Sequence, residues 1–321
     1  MRLDRFDLNL LIALDVLLDE RSVTRASHRL HIGQSATSSA LARLREHFSD
    51  ELLLWDGKKC TLTPLAQQLQ DPVRDALLRA RAAVATRPGF AAANAQRRFS
   101  ICASDYATTV LLGQALVRIK AQAPGIVVEI RSPQRSALET FERGGVDLMI
   151  MPEPYLESLQ HPRTPLFEDT QVCMVCAGNA QVGERLDFDQ YLAMGHVIAR
   201  FEDERAPAFE EWFLPRHGRQ RRLEACVDNF STLPFLVMGT TRIATLHRRL
   251  AEHFARHFPV RVLAAPFDMP PVVEAMVWPR YLDNDQAHRW LRQTLLACAA
   301  ELPALQQPPS PTPQARRQAK A

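Results

Sequence analysis

The sequence predicts a helical N-terminal module of winged helix-turn-helix type, a long helix, and then a larger α/β region in two subdomains: an α + α/β chain. Three observations carry this. Residues 7–48 hold three runs of apolar residues at spacings of three and four, and the second and third are joined by only His31-Ile32-Gly33. Residues 52–63 read as two short strands about the turn Asp56-Gly57-Lys58-Lys59. From residue 99 onward strands alternate with helices, the pattern of a largely parallel sheet.

Asp7 caps a first helix whose Leu10, Leu11, Leu14, Leu17 and Leu18 fall on one face. Ser22 caps a second, 23–30, which turns Val23, Ala26 and Leu30 inward and Arg25 and Arg29 outward; the small Ala26 lets another helix approach closely. The third helix, from Gln34 or Ser35, buries Thr37, Ala40, Leu41, Leu44 and Phe48 and keeps Ser35, Ser38, Ser39, Ala42 and Arg45 on its other face. A short polar face on the second helix of such a pair suits the major groove of DNA. Charge supports this locally. The chain carries 39 Lys and Arg against 36 Asp and Glu, a net +3, so any nucleic-acid surface must be a patch. Residues 21–45 hold five arginines and two histidines and no acid, which implies a phosphate-facing surface. Lys58 and Lys59 at the hairpin tip are placed to reach the duplex backbone or minor groove.

Thr63-Pro64 starts a long helix by cap and N1 proline. Leu65, Leu69, Pro72 or Val73, Ala76, Ala80 and Ala83 recur at close to 3.5 residues, the seam of a two-helix contact, while Pro72 should kink or split the helix. The expectation is a linker helix, 64–90, that dimerises the N-terminal domain, 1–63, ending at the TRPGF segment, 86–90; two recognition helices would then sit about one duplex turn apart on a dyad site. A βαβαβ unit follows: strand 99–103 ending at Ser104-Asp105, helix 106–121, strand 126–131, helix 136–143 and strand 146–151. The second half repeats this loosely with strand 170–176, helix 188–192, strand 196–200, helix 206–217, strand 223–227, helix 233–239 and strand 243–246. Strand 272–278 and the amphipathic helix 284–300 close the region, 91–302. The tail 303–321 has five prolines in nineteen residues and reads as disordered.

An apolar content of 46% with 23% charged residues is that of a globular chain. No apolar stretch is long enough to span a bilayer, and Asp4 and Asp7 stand where a secretory signal would be basic and then apolar, so a cytoplasmic protein is expected. The six cysteines read as reduced thiols. Cys173 and Cys176 form a CxxC inside an apolar run without a second pair, which favours packing over zinc or redox chemistry. There is no GxSxG, HExxH or GxGxxG, and no catalysis, metal or cofactor is expected. A solute-binding protein would suit the second half alone but has no use for a basic helix-turn-helix.

The segment DLNLLIALDVLLDERSVTRASHRLHIGQSATSSALARLREHFSDELLL resembles the winged helix-turn-helix of the LysR-type transcriptional regulators, and GGVDLMI resembles their effector-domain strand. GHVIARF, EEWFL, DNFSTLPFLV and EAMVWP resemble the subgroup of nodulation-gene regulators that answer to plant flavonoids. The resemblance implies a homodimer or homotetramer that binds double-stranded DNA, works with RNA polymerase and carries a two-subdomain effector domain like periplasmic binding proteins, with a small molecule between the subdomains. Subdomain I would comprise 91–163 and 270–302 and subdomain II 164–269, with crossovers near 162–166 and 265–269. It places Gln34, Ser35, Ser38 and Ser39 where the family reads bases and Lys58 and Lys59 on the wing; Thr24, Arg25 and Arg43 complete the candidate DNA contacts. Many members have proline at Ser35 and arginine at Ser39, so this chain lacks one long cationic reader.

Ligands in open α/β sheets sit beyond the carboxyl ends of strands. Ser104, Asp105, Ser132, Gln134 and Met151 follow the first three strands of the α/β region, and Arg200, Phe201 and Phe230 are their second-subdomain counterparts; each of them also has a capping or core role open to it. A carboxylate at Asp105 opposes an acidic ligand, which favours a neutral or phenolic aromatic effector. A ligand-independent repressor with the same fold is the alternative.

Overall fold

The computed structural model describes residues 6–57, 59–85, 89–134, 136–201 and 221–305. Lys58, residues 86–88 of the TRPGF segment, the helix expected at 206–217 and the tail from 306 lie outside the described residues. The chain forms two compact units, residues 1–88 and 89–321.

In the first unit α1 (Asn9–Glu20), α2 (Val23–Leu30) and α3 (Gln34–Phe48) pack around Leu14, Leu17, Leu18, Ala26 and Leu44. The starts follow their caps: Asp7 Oδ1 accepts the Asn9 N–H at 3.0 Å, and Ser22 Oγ accepts the Arg25 N–H at 3.3 Å. Ala26 is fully buried, as its size foretold. His31, in the left-handed region at φ 54°, turns the chain from α2 into α3. The hairpin β1 (Leu53–Asp56) and β2 (Lys59–Leu62) pairs Asp56 with Lys59, and its two-residue loop needs the positive φ of Gly57, 60°.

Helix α4 (Pro64–Ala85) starts where Thr63 Oγ1 accepts the Ala66 N–H at 3.0 Å. It runs through Pro72 as one helix, so the expected split does not occur. The proline removes one N–H and leaves the flanking turns to hold the helix, aided by Ala66, Val73 and Leu77 packed into the core of the unit. Leu69 and Val73, read as part of an intermolecular seam, belong to this internal contact, whereas Pro72, Ala76, Ala80 and Ala83 are exposed.

The second unit contains two five-stranded sheets. The first is built from β3 (Arg97–Ala103), β4 (Ile126–Arg131), β5 (Leu148–Pro152), β6 (Arg163–Asp169) and β12 (Val272–Val277) in the order β4-β3-β5-β12-β6. The second is built from β7 (Gln171–Cys176), β8 (Gly195–Ala199), β9 (Arg222–Val227), β10 (Ile243–His247) and β11 (Val260–Ala264) in the order β11-β7-β10-β8-β9. Each has a parallel trio, β4-β3-β5 and β10-β8-β9, as the alternation predicts. Each is completed by two strands in antiparallel pairing: β12 lies between β5 and β6 in the first sheet, and β7 lies between β10 and β11 in the second. The first crossover is a correction: β6 stays in the first sheet through Asp169, so the chain changes sheet at Thr170 and not near 162–166. The segment 265–271 between β11 and β12 holds the return crossover where it was expected.

Among the described residues the α-helices of the second unit are α5, α6 (Ala137–Glu142), α7 (Phe188–Ala193), α8 (Leu233–Val237), α9 (Arg248–His257) and α10 (Gln286–Ala300). Helix α5 begins at Asp105–Ala107, is π-wound over Thr108–Leu112 and ends as Gly113–Gln122. The hydroxyls of Thr108 and Thr109 donate at 2.8 Å to the carbonyls of Ser104 and Asp105, competing with the regular ladder. One core cluster joins Phe99, Ile101 and Leu148 of the first sheet to Val172, Met174 and Val197 of the second.

Candidate functional site

Two surfaces emerge, one in each unit. On the first, Gln34, Ser35, Ser38, Ser39 and Arg43 line the exposed face of α3, opposite the buried Thr37, Leu41 and Leu44. Thr24 at the start of α2 and Lys59 at the start of β2 are exposed as well. Electrostatics there differs from the reading along the chain. Arg25 pairs with Glu20 at 3.1 Å, Arg29 with Asp19 at 2.8 Å and Glu20 at 3.1 Å, Arg43 with Asp7 at 3.3 Å, and Arg45 with Glu51 at 3.1 Å. The acid-free stretch is therefore flanked in space by acids from outside it, and four of its five arginines already hold a carboxylate. Such exposed pairs are weak, about 0–1 kcal/mol, and a phosphate can compete for the same guanidinium.

The second surface lies where the two sheets meet. Ser104 Oγ accepts the Ala107 N–H at 3.1 Å and so caps α5. Asp105, next to it, reaches across: its Oδ2 accepts both the N–H and the hydroxyl of Ser231, each at 2.6 Å. Asn229 fixes the Ser231 loop, because its Oδ1 accepts the N–H and hydroxyl of Thr232 at 2.9 and 2.7 Å. The other Asp105 oxygen, Oδ1, is buried and accepts no hydrogen bond. Aromatic rings surround this latch. Phe230 lies 5.5 Å from Phe201, 5.0 Å from His247 and 6.2 Å from Tyr106, and Tyr106 stacks on His247 at 3.9 Å.

Beneath the rings is a buried polar group. The Tyr106 hydroxyl donates to Asp169 Oδ2 at 2.6 Å, and Asp169 also accepts the N–H groups of Thr170 and Arg249 at 2.7 and 3.2 Å. Burial raises Asp169, against the lowering effect of these donors, and raises Tyr106 far above the usual phenol range, with the Asp169 charge adding to it. Glu274 is pushed up to about 8 by burial and then by Asp169. His247 falls to about 3 through burial.

The structure brings together Asp105, Phe201 and Phe230 of the predicted residues. Arg200 is exposed beside Phe201, and its N–H donates to the Val227 carbonyl at 2.7 Å. Ser132 and Gln134 are exposed beyond β4. Met151 is not part of this group: strand alternation turns it, with Met149, to the other face of the first sheet, against the Phe141 and Leu156 cluster. Ser231, Tyr106 and His247 were missed. His247 is the buried last residue of β10, directly before α9. Among the described residues no group of three or more histidine, cysteine or carboxylate side chains is arranged to hold a metal ion.

Family models match each of the two units. The model of the bacterial regulatory helix-turn-helix protein, lysR family, matches residues 8–67, and that of the LysR substrate binding domain matches residues 92–299. The chain belongs to the LysR family. It is a LysR-type transcriptional regulator, not an enzyme, and members of this family bind DNA and small-molecule effectors, typically as oligomers. Nodulation protein D of Bradyrhizobium sp. (strain ANU 289) is 40% identical over 316 residues, covering 98% of this chain and 93% of that protein. Nodulation protein D 2 of Rhizobium tropici is 40% identical over 296 residues, covering 92% of this chain and 94% of the relative. Among solved structures, the probable transcriptional regulator PA0477 from Pseudomonas aeruginosa superposes with a TM-score of 0.62 at 27% identity, covering 92% of this chain and 98% of its own. Full-length OxyR from Pseudomonas aeruginosa, at 16% identity and a TM-score of 0.66 over 95% of this chain and 99% of its own, shares the fold. Among the described residues of this LysR-type regulator no helix is long and apolar enough to cross a membrane.

Proposed function

We propose that this regulator acts in the cytoplasm as a dimer or tetramer on a dyad promoter site, works there with RNA polymerase, and answers to a small phenolic aromatic effector held between its two sheets. The observation that carries the effector class is the unanswered Asp105 Oδ1 among the rings of Phe201 and Phe230. A carboxylate ligand brings like charge to that oxygen, whereas a phenol donates a charge-assisted hydrogen bond to it and lays its ring against the aromatic side chains. The two nodulation protein D relatives support the same class through the resemblance to flavonoid-responsive regulators. Ser104, Ser132, Gln134 and Arg200 serve as polar rim, with Met151 outside it.

On DNA, Gln34 reads adenine by two hydrogen bonds, the serines at 35, 38 and 39 reach phosphates or waters, Thr24, Arg25 and Arg43 hold flanking phosphates, and Lys58 and Lys59 follow the backbone beside the wing. Effector binding changes DNA bend and polymerase contact only so far as it favours one arrangement of the sheets over another. Two titrations test this. The full chain should prefer the duplex upstream of its own gene over a scrambled one by about a thousandfold at physiological salt. Calorimetry should show binding of a hydroxyflavone and none of benzoate. Tight benzoate binding with no flavone heat would overturn the effector class, and no heat from either would favour ligand-independent repression.

A further inference from the structure

Cys176 ends β7, outside both surfaces described above, and is half-buried. Its Sγ accepts the Gly239 N–H at 3.3 Å. That contact and the N–H groups of Gly178 and Thr240 hold the thiol below its ordinary range. Cys173 gives it no partner for an internal disulfide. Three residues earlier in a strand means the opposite face, and Cys173 is buried there among Val182, Leu186 and Tyr191.

Cys176 lines a pocket of about 710 Å³ together with Asn179, Gln181, Glu224, Thr240 and Arg242. Its charged groups, Glu224 on β9 and Arg242 before β10, bind each other at 2.8 Å. Asn179 is only 6% exposed. Its Oδ1 accepts the Gln181 N–H at 3.0 Å, which fixes which way the amide faces, and its Nδ2 is buried and donates to nothing. An ordered pocket residue with a spare donor calls for an acceptor from outside the chain.

We propose that this pocket is a thiol-exchange site, in which Cys176 takes up a small peptidic disulfide whose carbonyl or carboxylate oxygen accepts from Asn179 Nδ2. The thiolate attacks one sulfur of RS–SR; the reagent's S–S bond breaks as the Cys176 S–SR bond forms, and RS⁻ leaves, so no further oxidant is needed.

Oxidised glutathione added to the full chain, with peptide mass mapping over time, tests this. The expected result is one adduct on Cys176, formed about tenfold or more faster than on the exposed Cys226 of β9. Asn179→Asp keeps an oxygen for the Gln181 N–H and removes the donor. It should lower the glutathione rate about tenfold relative to the iodoacetamide rate of the same variant at equal thiolate fraction. Equal modification of Cys226 and Cys176, or an unchanged rate ratio in Asn179→Asp, would overturn the proposal. Cys176→Ser must carry no adduct in that segment; an adduct mapped there would overturn it too.

Discussion

Asp105→Asn exchanges one oxygen of the latch for an amide nitrogen and removes its charge. On the Ser231 side the remaining oxygen still accepts two donors, now as neutral hydrogen bonds of about 0.5–1.5 kcal/mol each in place of charge-assisted ones of about 1.5–3 kcal/mol. On the side of the buried Oδ1, an acceptor becomes a donor. A phenol then loses one charge-assisted hydrogen bond, about 1.5–3 kcal/mol, which is roughly ten- to a hundredfold in Kd at 1.4 kcal/mol per decade. Calorimetric titration of the full chain with a hydroxyflavone measures this directly. Two controls separate the latch from the ligand contact. Ser231→Ala removes one donor from Oδ2 and leaves Oδ1 untouched, so its effect on Kd should be smaller than that of Asp105→Asn. The O-methyl ether of the same flavone lacks the donor and should bind wild type about as weakly as the phenol binds Asp105→Asn. Equal affinity of the phenol for wild type and Asp105→Asn, or of the ether and the phenol for wild type, would refute the reasoning.

Glu274 ionises near 4.5 in the unfolded chain but is held protonated up to about 8 in the fold, so its contribution is whole below 4.5 and is lost as pH rises through that window, at no more than about 1.4 kcal/mol per pH unit. Glu274→Gln should flatten the fall of Tm between pH 4.5 and about 8. His247 has the opposite sign, its contribution being whole above 6.5 and lost as pH falls toward 3, so that limb should persist in Glu274→Gln. Thr63→Ala loses the α4 cap and the 2.6 Å hydrogen bond to Asp50 Oδ1, and should destabilise the first unit by about 2–3 kcal/mol, read as faster hydrogen exchange over residues 59–70. Arg25→Ala should change stability by less than about 1 kcal/mol and lower the salt slope of DNA binding by about one phosphate contact; an unchanged slope would leave Arg25 as a partner of Glu20 alone.

The helix-turn-helix was legible because everything that makes it is local: apolar spacing, caps at Asp7, Ser22 and Thr63, and a glycine at the hairpin turn. The parallel trios were legible for the same reason. Strand β6 was not, since RTPLFED has charged residues at both ends and a proline between them, with no period-two apolar pattern, and becomes a strand by pairing with β12. Charge misled in a similar way. Asp7, Asp19, Glu20 and Glu51 lie outside an acid-free window along the chain but next to its arginines in space. Of the candidate effector residues, the strand-end rule leads to Asp105, Phe201 and Phe230, which the fold places near one another. It does not lead to Ser231, which lies 126 residues from Asp105 in sequence and meets it only in the folded α/β unit.

On the proposed function, that meeting sets how the switch is tuned. The sheets are already joined by the two Asp105–Ser231 hydrogen bonds and by the Tyr106–His247 stack, so the joined arrangement is favoured before any ligand arrives. A ligand that fits both arrangements equally shifts nothing, however tightly it binds. One that donates to Asp105 Oδ1 adds its energy only while Asp105 is held in place by Ser231, and this is the differential affinity a population shift requires. Weakening the latch without touching Oδ1, as in Ser231→Ala, should therefore lower basal occupancy of the joined arrangement and widen the response to effector, with little loss of intrinsic affinity. A variant that bound effector more weakly and gained no range would place the switch elsewhere than in this contact.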